Sequence, residues 1–348
     1  MAIRVLIVDD SATAREVLSR ALKKDSEIDI VGTAPDAYIA RDKIVNLKPD
    51  VVCLDVEMPR MDGITFLKKI MQYMPVPVLM VSSLTQKGAQ VTLEALEAGA
   101  IDFVGKPHQN IYDGIDDIER ELIAKVKMVA SSNIKARITK TLHLKEPVKA
   151  SFALATTTNK IIAIGASTGG TVALTEVITK LPRDIPGIVI VQHMPAGFTA
   201  SFAERLNELS QVEVLEATDG QIVGKGRVLI APGDYHMVLR REGGQYKVKL
   251  GTGDKVSGHR PSVDVLFNSC AKYAGANAIG IILTGMGADG AKGLLKMRNA
   301  GSHTIGQDEK SCVVYGMPKV AFDIGGVETQ ASLGEINNVL ISKLNKMK

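Results

Sequence analysis

Residues 160–171 read KIIAIGASTGGT. An apolar run, IIAIG at 161–165, breaks into small residues, a hydroxyl pair and two glycines, after which Leu174, Val177, Ile178 and Leu181 recur at i, i+3, i+4 and i+7. The short run bounded by glycine predicts a buried strand, and the spacing that follows predicts a helix. Ser167 therefore sits on a strand-to-helix turn, the repeating unit of a sheet with helices on both faces. Such a turn offers free backbone N–H groups, so it can be a phosphate cradle, a plain tight turn, or a seat for a nucleophilic serine beside an oxyanion. No G-K-[ST] ending follows and no G-x-G-x-x-G is completed, whereas GASTG fits the G-x-S-x-G elbow pattern.

The same rhythm recurs in GIVIVQ (187–192) and AIGIILTG (278–285), with irregular β-rich sequence between them. His193 directly follows the first of these, and Asp289 lies in the glycine-rich turn GMGADGAKG after the second. Ligand crevices of parallel sheets form at the carboxyl ends of strands, so Ser167, His193 and Asp289 are predicted to meet at one sheet edge. Ser167 would attack, His193 would shuttle the proton, and Asp289 would fix the imidazole tautomer and support its charge. Singly, each has a plain structural use as a cap or turn residue. Placed jointly, they point to catalysis. Among the other histidines, His236 in APGDYHMVL reads as part of a hairpin turn and His259 in SGHRPSVD as loop, while His303 in AGSHTIGQD precedes a short apolar segment. The chain order Ser, His, Asp differs from the Ser, Asp, His order of α/β-hydrolases, so a different doubly wound sheet is expected.

Upstream, the runs IRVLIV (3–8), DIVGTA (29–34), DVVCL (50–54), VPVLMVS (76–82) and IDFVG (101–105) alternate with helical patterns. One helix face carries Val17, Leu18, Ala21 and Leu22, and another Ile64, Leu67, Ile70, Met71 and Met74. The whole chain is thus read as α/β, a flavodoxin-like domain over 1–124 followed by a doubly wound, mainly parallel domain over 159–346. In the first domain Asp9 and Asp10 follow the first run, Asp55 the third, Ser82 ends the fourth and Lys106-Pro107 closes the fifth. Three converging carboxylates repel, and a hard divalent cation such as Mg²⁺ relieves this. A nearby ammonium and hydroxyl suit a phosphoryl group on Asp55.

With 348 residues, 45% of them hydrophobic, the chain can bury two cores. Its 42 basic and 38 acidic residues are too evenly mixed, and its aromatic content of 4% with no Trp too low, to suggest a nucleic-acid partner. Residues 125–158 are read as a linker, with seven Lys or Arg against one Glu between 125 and 149, and His143 within it is given no role. Cys53, Cys270 and Cys312 are far apart and odd in number, which suits a reducing compartment. No secretory signal opens the chain, and no apolar segment reaches the roughly 18 residues of a membrane span. A cytoplasmic protein that does not insert into membranes is expected.

LIVDDSATAR, LDVEMPRMDG, VLMVSSLT and FVGKP resemble the receiver domain of two-component response regulators. The resemblance implies that Asp55 accepts a phosphoryl group from a chemotaxis histidine kinase, that Asp9, Asp10, Asp55 and the Glu57 carbonyl help hold Mg²⁺, and that Ser82 and Lys106 read the phosphorylated state. Phe103 occupies the position of the aromatic switch. IGASTGG, VQHMP, APGDYHM, HRPSVDVLF, ILTGMGADGAKG and YGMPKVA resemble the catalytic domain of the CheB chemotaxis methylesterases. That implies cofactor-independent hydrolysis of glutamate methyl esters on chemoreceptors, and deamidation of receptor glutamines, through a Ser167 acyl-enzyme. It also implies an oxyanion or substrate position at Thr168 and Met286, and a receiver that blocks the catalytic entrance until Asp55 is phosphorylated.

Overall fold

The computed structural model describes residues 2–82, 86–106, 115–132 and 159–347. They belong to two compact units, Met1–Leu144 and Lys145–Lys348. His143, Pro107 and most of the 125–158 linker lie outside the described residues.

In the first unit β1 (Ile3–Val8), β2 (Ile28–Ala34), β3 (Val51–Asp55), β4 (Val78–Ser82) and β5 (Asp102–Gly105) alternate with α1 (Ala12–Leu22), α2 (Ala37–Leu47), α3 (Gly63–Tyr73), α4 (Gln86–Ala98) and α5 (Ile115–Ala130). The sheet is wholly parallel with order β2-β1-β3-β4-β5. Because β2 and β3 flank β1 on opposite sides, the winding reverses between β1 and β3 and opens a crevice at their carboxyl ends. The unbroken apolar runs are the buried central strands, as covering helices on both faces require. Ser11, Asp36 and Asp62 cap α1, α2 and α3 by accepting N–H groups of their first turns. The helical rhythm continues past Lys125 to Ala130, because Leu122, Val126 and Val129 keep one buried face. Lys125 is accordingly no solvated linker residue: its Nζ lies 2.5 Å from the Phe103 carbonyl and 3.0 Å from Glu121.

The second unit contains a seven-stranded parallel sheet of β6 (Ile161–Ala166), β7 (Gly187–Gln192), β8 (Glu213–Glu216), β9 (Arg227–Ile230), β12 (Ala278–Ile282), β13 (His303–Gln307) and β14 (Thr329–Ala331). Its helices are α6 (Gly170–Ile178), α7 (Phe198–Leu209), α8 (Val263–Tyr273), α9 (Ala291–Asn299), α10 (Met317–Asp323) and α11 (Ile336–Lys346). The order β14-β13-β12-β6-β7-β9-β8 puts β6 between β12 and β7, so the ends of these three strands are neighbours. A separate antiparallel hairpin joins β10 (His236–Glu242) to β11 (Gln245–Gly251). His236 is thus the first residue of a strand and not part of the hairpin turn. The turn falls at Gly243-Gly244, whose φ values of 56° and 82° suit glycine. Among the described residues no helix is long and apolar enough to cross a membrane. All three cysteines are buried, which pushes the Cys53 and Cys270 thiols up to about 12.

Candidate active site

The end of β6 delivers Ser167, the end of β7 delivers His193, and the turn after β12 delivers Asp289. His193 Nδ1 lies 3.2 Å from Ser167 Oγ, and His193 Nε2 lies 2.9 Å from Asp289 Oδ2. Ser167 is half-buried while the Asp289 side chain is 1% exposed, so the chain of contacts runs from an accessible hydroxyl to an interior carboxylate. Burial raises the Asp289 carboxyl, but the His193 ring and the Val263 and Asp264 N–H groups outweigh it and hold the group below its ordinary value. An ionised carboxylate only accepts hydrogen bonds. It therefore keeps a proton on Nε2 and leaves the Nδ1 lone pair facing Ser167.

Helix α8 holds Asp289 in place. Ser262, its N-cap, donates from Oγ to Asp289 Oδ1 at 2.8 Å, and the Val263 and Asp264 N–H groups donate to Oδ2 and Oδ1 at 2.7 and 3.1 Å. A carboxylate at a helix N-terminus is favoured by the free N–H groups and the dipole. This close approach needs Gly165, since a Cβ there would meet Val263 Cγ1 at 2.2 Å. Gln192 ties the other two strand ends by donating from Nε2 to the Ser167 and His193 carbonyls at 3.0 and 3.2 Å. Beneath the serine, Thr284 accepts the Ser167 N–H through its carbonyl at 3.0 Å. Its Oγ1 donates to the Thr168 carbonyl at 3.0 Å and accepts the Val314 N–H at 3.0 Å. Thr168 is buried, and Met286 is 43% exposed. Among the described residues no acceptor takes the Met286 N–H.

In the first unit Asp9, Asp10 and Asp55 bring carboxylate oxygens within 4.8 Å of one another. Lys106 Nζ is 2.9 Å from Asp9 Oδ2 and 2.8 Å from Asp55 Oδ2, yet both oxygens are buried without a directional hydrogen bond. Burial, with the Asp9 charge adding to it against Lys106, pushes the Asp55 carboxyl up to about 6. Burial alone would lower the Lys106 ammonium, but the two carboxylates overcome it and raise it. Two buried, under-coordinated oxygens with exposed Asp10 alongside form an all-oxygen donor set that fits a hard divalent cation. Glu57 is exposed and donates its N–H to Asp55 Oδ1 at 3.4 Å. Ser82 is buried with Thr92 Oγ1 at 2.8 Å, and its carbonyl accepts the Lys106 N–H. Phe103 is buried, with Lys125 Nζ 5.0 Å from its ring centroid.

The profile described as CheB methylesterase matches residues 162–340, and that described as response regulator receiver domain matches residues 5–113. The protein-glutamate methylesterase/protein-glutamine glutaminase of Sulfurimonas denitrificans is 69% identical over 352 residues, covering 100% of both chains. This chain belongs to the CheB methylesterase family. The Syntrophotalea carbinolica protein of the same name is 54% identical over 99% of this CheB-family chain and 98% of its own. The solved Thermotoga maritima CheB methylesterase catalytic domain is 42% identical, covers 53% of this chain and 98% of its own, and superposes with a TM-score of 0.52.

Several residues that shape this CheB-family site escaped the sequence reading. Ser262 could have been found, as a serine directly before the periodic run VDVLF is an N-cap signal. Thr284 carries no such signal, because it looks like one more strand residue. His259, read as loop, lies with its ring centroid 3.8 Å from that of His193 and nearly parallel to it, at 12°.

Proposed function

We propose that this CheB-family chain is a receiver-controlled serine hydrolase acting on glutamate methyl esters, and on selected glutamines, of chemoreceptors. The observation that carries the reading is the contact chain Ser167 Oγ, His193, Asp289 at 3.2 and 2.9 Å on three adjacent strand ends. Ser167 Oγ attacks the side-chain carbonyl carbon as its proton passes to His193 Nδ1. The tetrahedral adduct collapses, breaking the bond to methoxide, which takes the proton from His193 and leaves as methanol. Water then attacks the acyl-enzyme while His193 accepts its proton, and collapse of the second adduct returns that proton to Ser167 and frees the glutamate carboxylic acid, which ionises by giving its proton to solvent. With glutamine the leaving group is ammonia. The Met286 N–H is the oxyanion donor in this reading, and Thr168 shapes the adjacent turn.

In the receiver, Asp55 takes a phosphoryl group from a histidine kinase, with Ser82 and Lys106 contacting its oxygens and Phe103 responding. Asp9, Asp10, Asp55 and the Glu57 carbonyl would hold Mg²⁺, which when bound offsets negative charge around the acceptor. Lys106 shares that task, already pairing with both buried aspartates. Methanol release from methylated receptor membranes tests both halves. Acetyl phosphate with Mg²⁺ raises the wild-type rate, Asp55→Ala abolishes the rise, and Ser167→Ala abolishes turnover. Near-wild-type turnover by Ser167→Ala refutes the nucleophile, and equal activation of Asp55→Ala refutes the coupling.

A further inference from the structure

The hydrogen bonds of His193 act in the plane of its ring. Ser167 Oγ and Asp289 Oδ2 fix two edges, at 3.2 and 2.9 Å, but neither opposes a tilt of the ring about the line joining them. Beyond the side chain's own attachment at Cβ, a contact on the ring face opposes that tilt. His259 supplies one, stacked at 3.8 Å between centroids and 12° from parallel.

The stack sits on a braced loop. Val256 and His259 exchange N–H···O bonds of 3.1 and 3.0 Å, closing a two-residue turn through Ser257 and Gly258, whose φ values are 54° and 81°. Arg260 Nη1 donates to the Thr252 and Gly253 carbonyls at 3.2 and 3.0 Å. The Asp234 N–H reaches the Arg260 carbonyl at 3.2 Å, and buried His236 places Nε2 2.8 Å from the Asp254 carbonyl. Three to five residues after His259, the same segment gives Ser262 Oγ and the Val263 and Asp264 N–H groups to Asp289. One stretch of chain thus grips two members of the site, the carboxylate along its edges and the imidazole across its face.

We infer that His259 is a positioning residue that holds the His193 ring in the plane required for proton transfer with Ser167 through face-to-face stacking. The inference rests on the reading of His193 as the proton carrier. A flat aromatic face is the property that matters, since stacking is a contact between π surfaces and is strongest in offset, parallel or edge-on arrangements. Small displacements of a catalytic group are costly because the reacting atoms must lie within a narrow range of distance and direction.

The test compares kcat and KM for methanol release by the full chain carrying His259→Ala, His259→Leu or His259→Phe, alongside Ser167→Ala and each variant's thermal midpoint. The energy of an aromatic pair corresponds to roughly two- to tenfold in rate. His259→Ala and His259→Leu are expected to lose kcat by about that factor with KM unchanged, and His259→Phe to recover to within about twofold of wild type. Wild-type kcat in His259→Ala, a Phe variant no better than Ala, a loss confined to KM, or a loss that tracks the thermal midpoint and not the ring, overturns the inference. If Ser167→Ala is inactive while His259→Ala is unimpaired, only the stacking role fails. If Ser167→Ala stays active, the underlying reading fails with it.

Discussion

Asp289→Asn changes one atom and tests whether the carboxylate controls the proton. Asp289 accepts four hydrogen bonds, from His193 and Val263 on Oδ2 and from Ser262 and Asp264 on Oδ1. Asparagine has one acceptor oxygen, so one of the two positions becomes a donor. With the amide nitrogen at the Oδ2 position, it faces the Val263 N–H and requires a lone pair on His193 Nε2, which moves the imidazole proton to Nδ1 and against Ser167. With the nitrogen at Oδ1, the tautomer survives but the amide faces the Asp264 N–H. The second arrangement costs less, since Asp264 donates at 3.1 Å and Val263 at 2.7 Å. Either way one buried N–H is orphaned, at about 1–3 kcal/mol, which for a domain of this size lowers the thermal midpoint by roughly 2–10 °C. Either way the negative charge that supports the imidazolium is gone. A fall in kcat of about 10²–10⁴ is expected, measured as methanol release from methylated receptor membranes. Because the carboxyl sits below its ordinary value of 3.8 when folded, it stabilises the fold above about pH 4 and that contribution fades as pH falls through the lowered value. The stability gap between wild type and Asp289→Asn therefore narrows in acid. A kcat within tenfold of wild type would refute the assignment of Asp289 as the charge that supports the imidazolium.

Three further substitutions probe what surrounds the chemistry. Thr284→Val keeps the shape of a buried side chain but leaves the Val314 N–H and the Thr168 carbonyl without the hydroxyl. It should cost about 1–3 kcal/mol in denaturant unfolding, and an unchanged midpoint would show that the hydroxyl is dispensable. Gly285→Ala would put a Cβ 2.4 Å from Met317 Sδ and 2.7 Å from Ser167 Cβ. It is expected to lower both stability, by roughly 1–3 kcal/mol, and kcat, and wild-type values of both would contradict the close approach. In the receiver, the folded-state Asp55 carboxyl at about 6 against 3.8 means that the folded chain holds that proton more tightly. Without divalent cation, wild-type stability should fall as pH rises from about 4 to 6, by at most roughly 3 kcal/mol, and Asp55→Asn should lack this fall. Urea unfolding in chelator across that range decides it, and parallel pH profiles would sink the prediction.

Which features were legible follows from where their causes lie. Continuous runs such as IIAIG and GIVIVQ announce strands covered on both faces. Once strands alternate with helices, the strand-end rule carries Ser167, His193, Asp289, Asp9 and Asp55 to their crevices without any knowledge of contacts. The segment APGDYHMVL reads as a hairpin turn, whereas the turn lies at Gly243-Gly244, where both residues have positive φ. The end of α5 is hidden in the sequence because the basic residues mask the buried spacing of Leu122, Val126 and Val129. Thr284 and His259 were unreadable for a deeper reason. Thr284 acts on the main chain at Ser167, Thr168 and Val314, and His259 acts on a ring face brought to it by a different strand. No local pattern encodes a bond from one side chain to another segment's peptide groups, because any residue supplies those groups. The residue types of the proposed site are therefore visible at strand ends, whereas the contacts that orient them come from peptide groups, a hydroxyl and a ring on neighbouring segments. Substitutions such as Thr284→Val should thus change rate and stability together, while loss of the Ser167 hydroxyl should abolish rate and leave the fold standing.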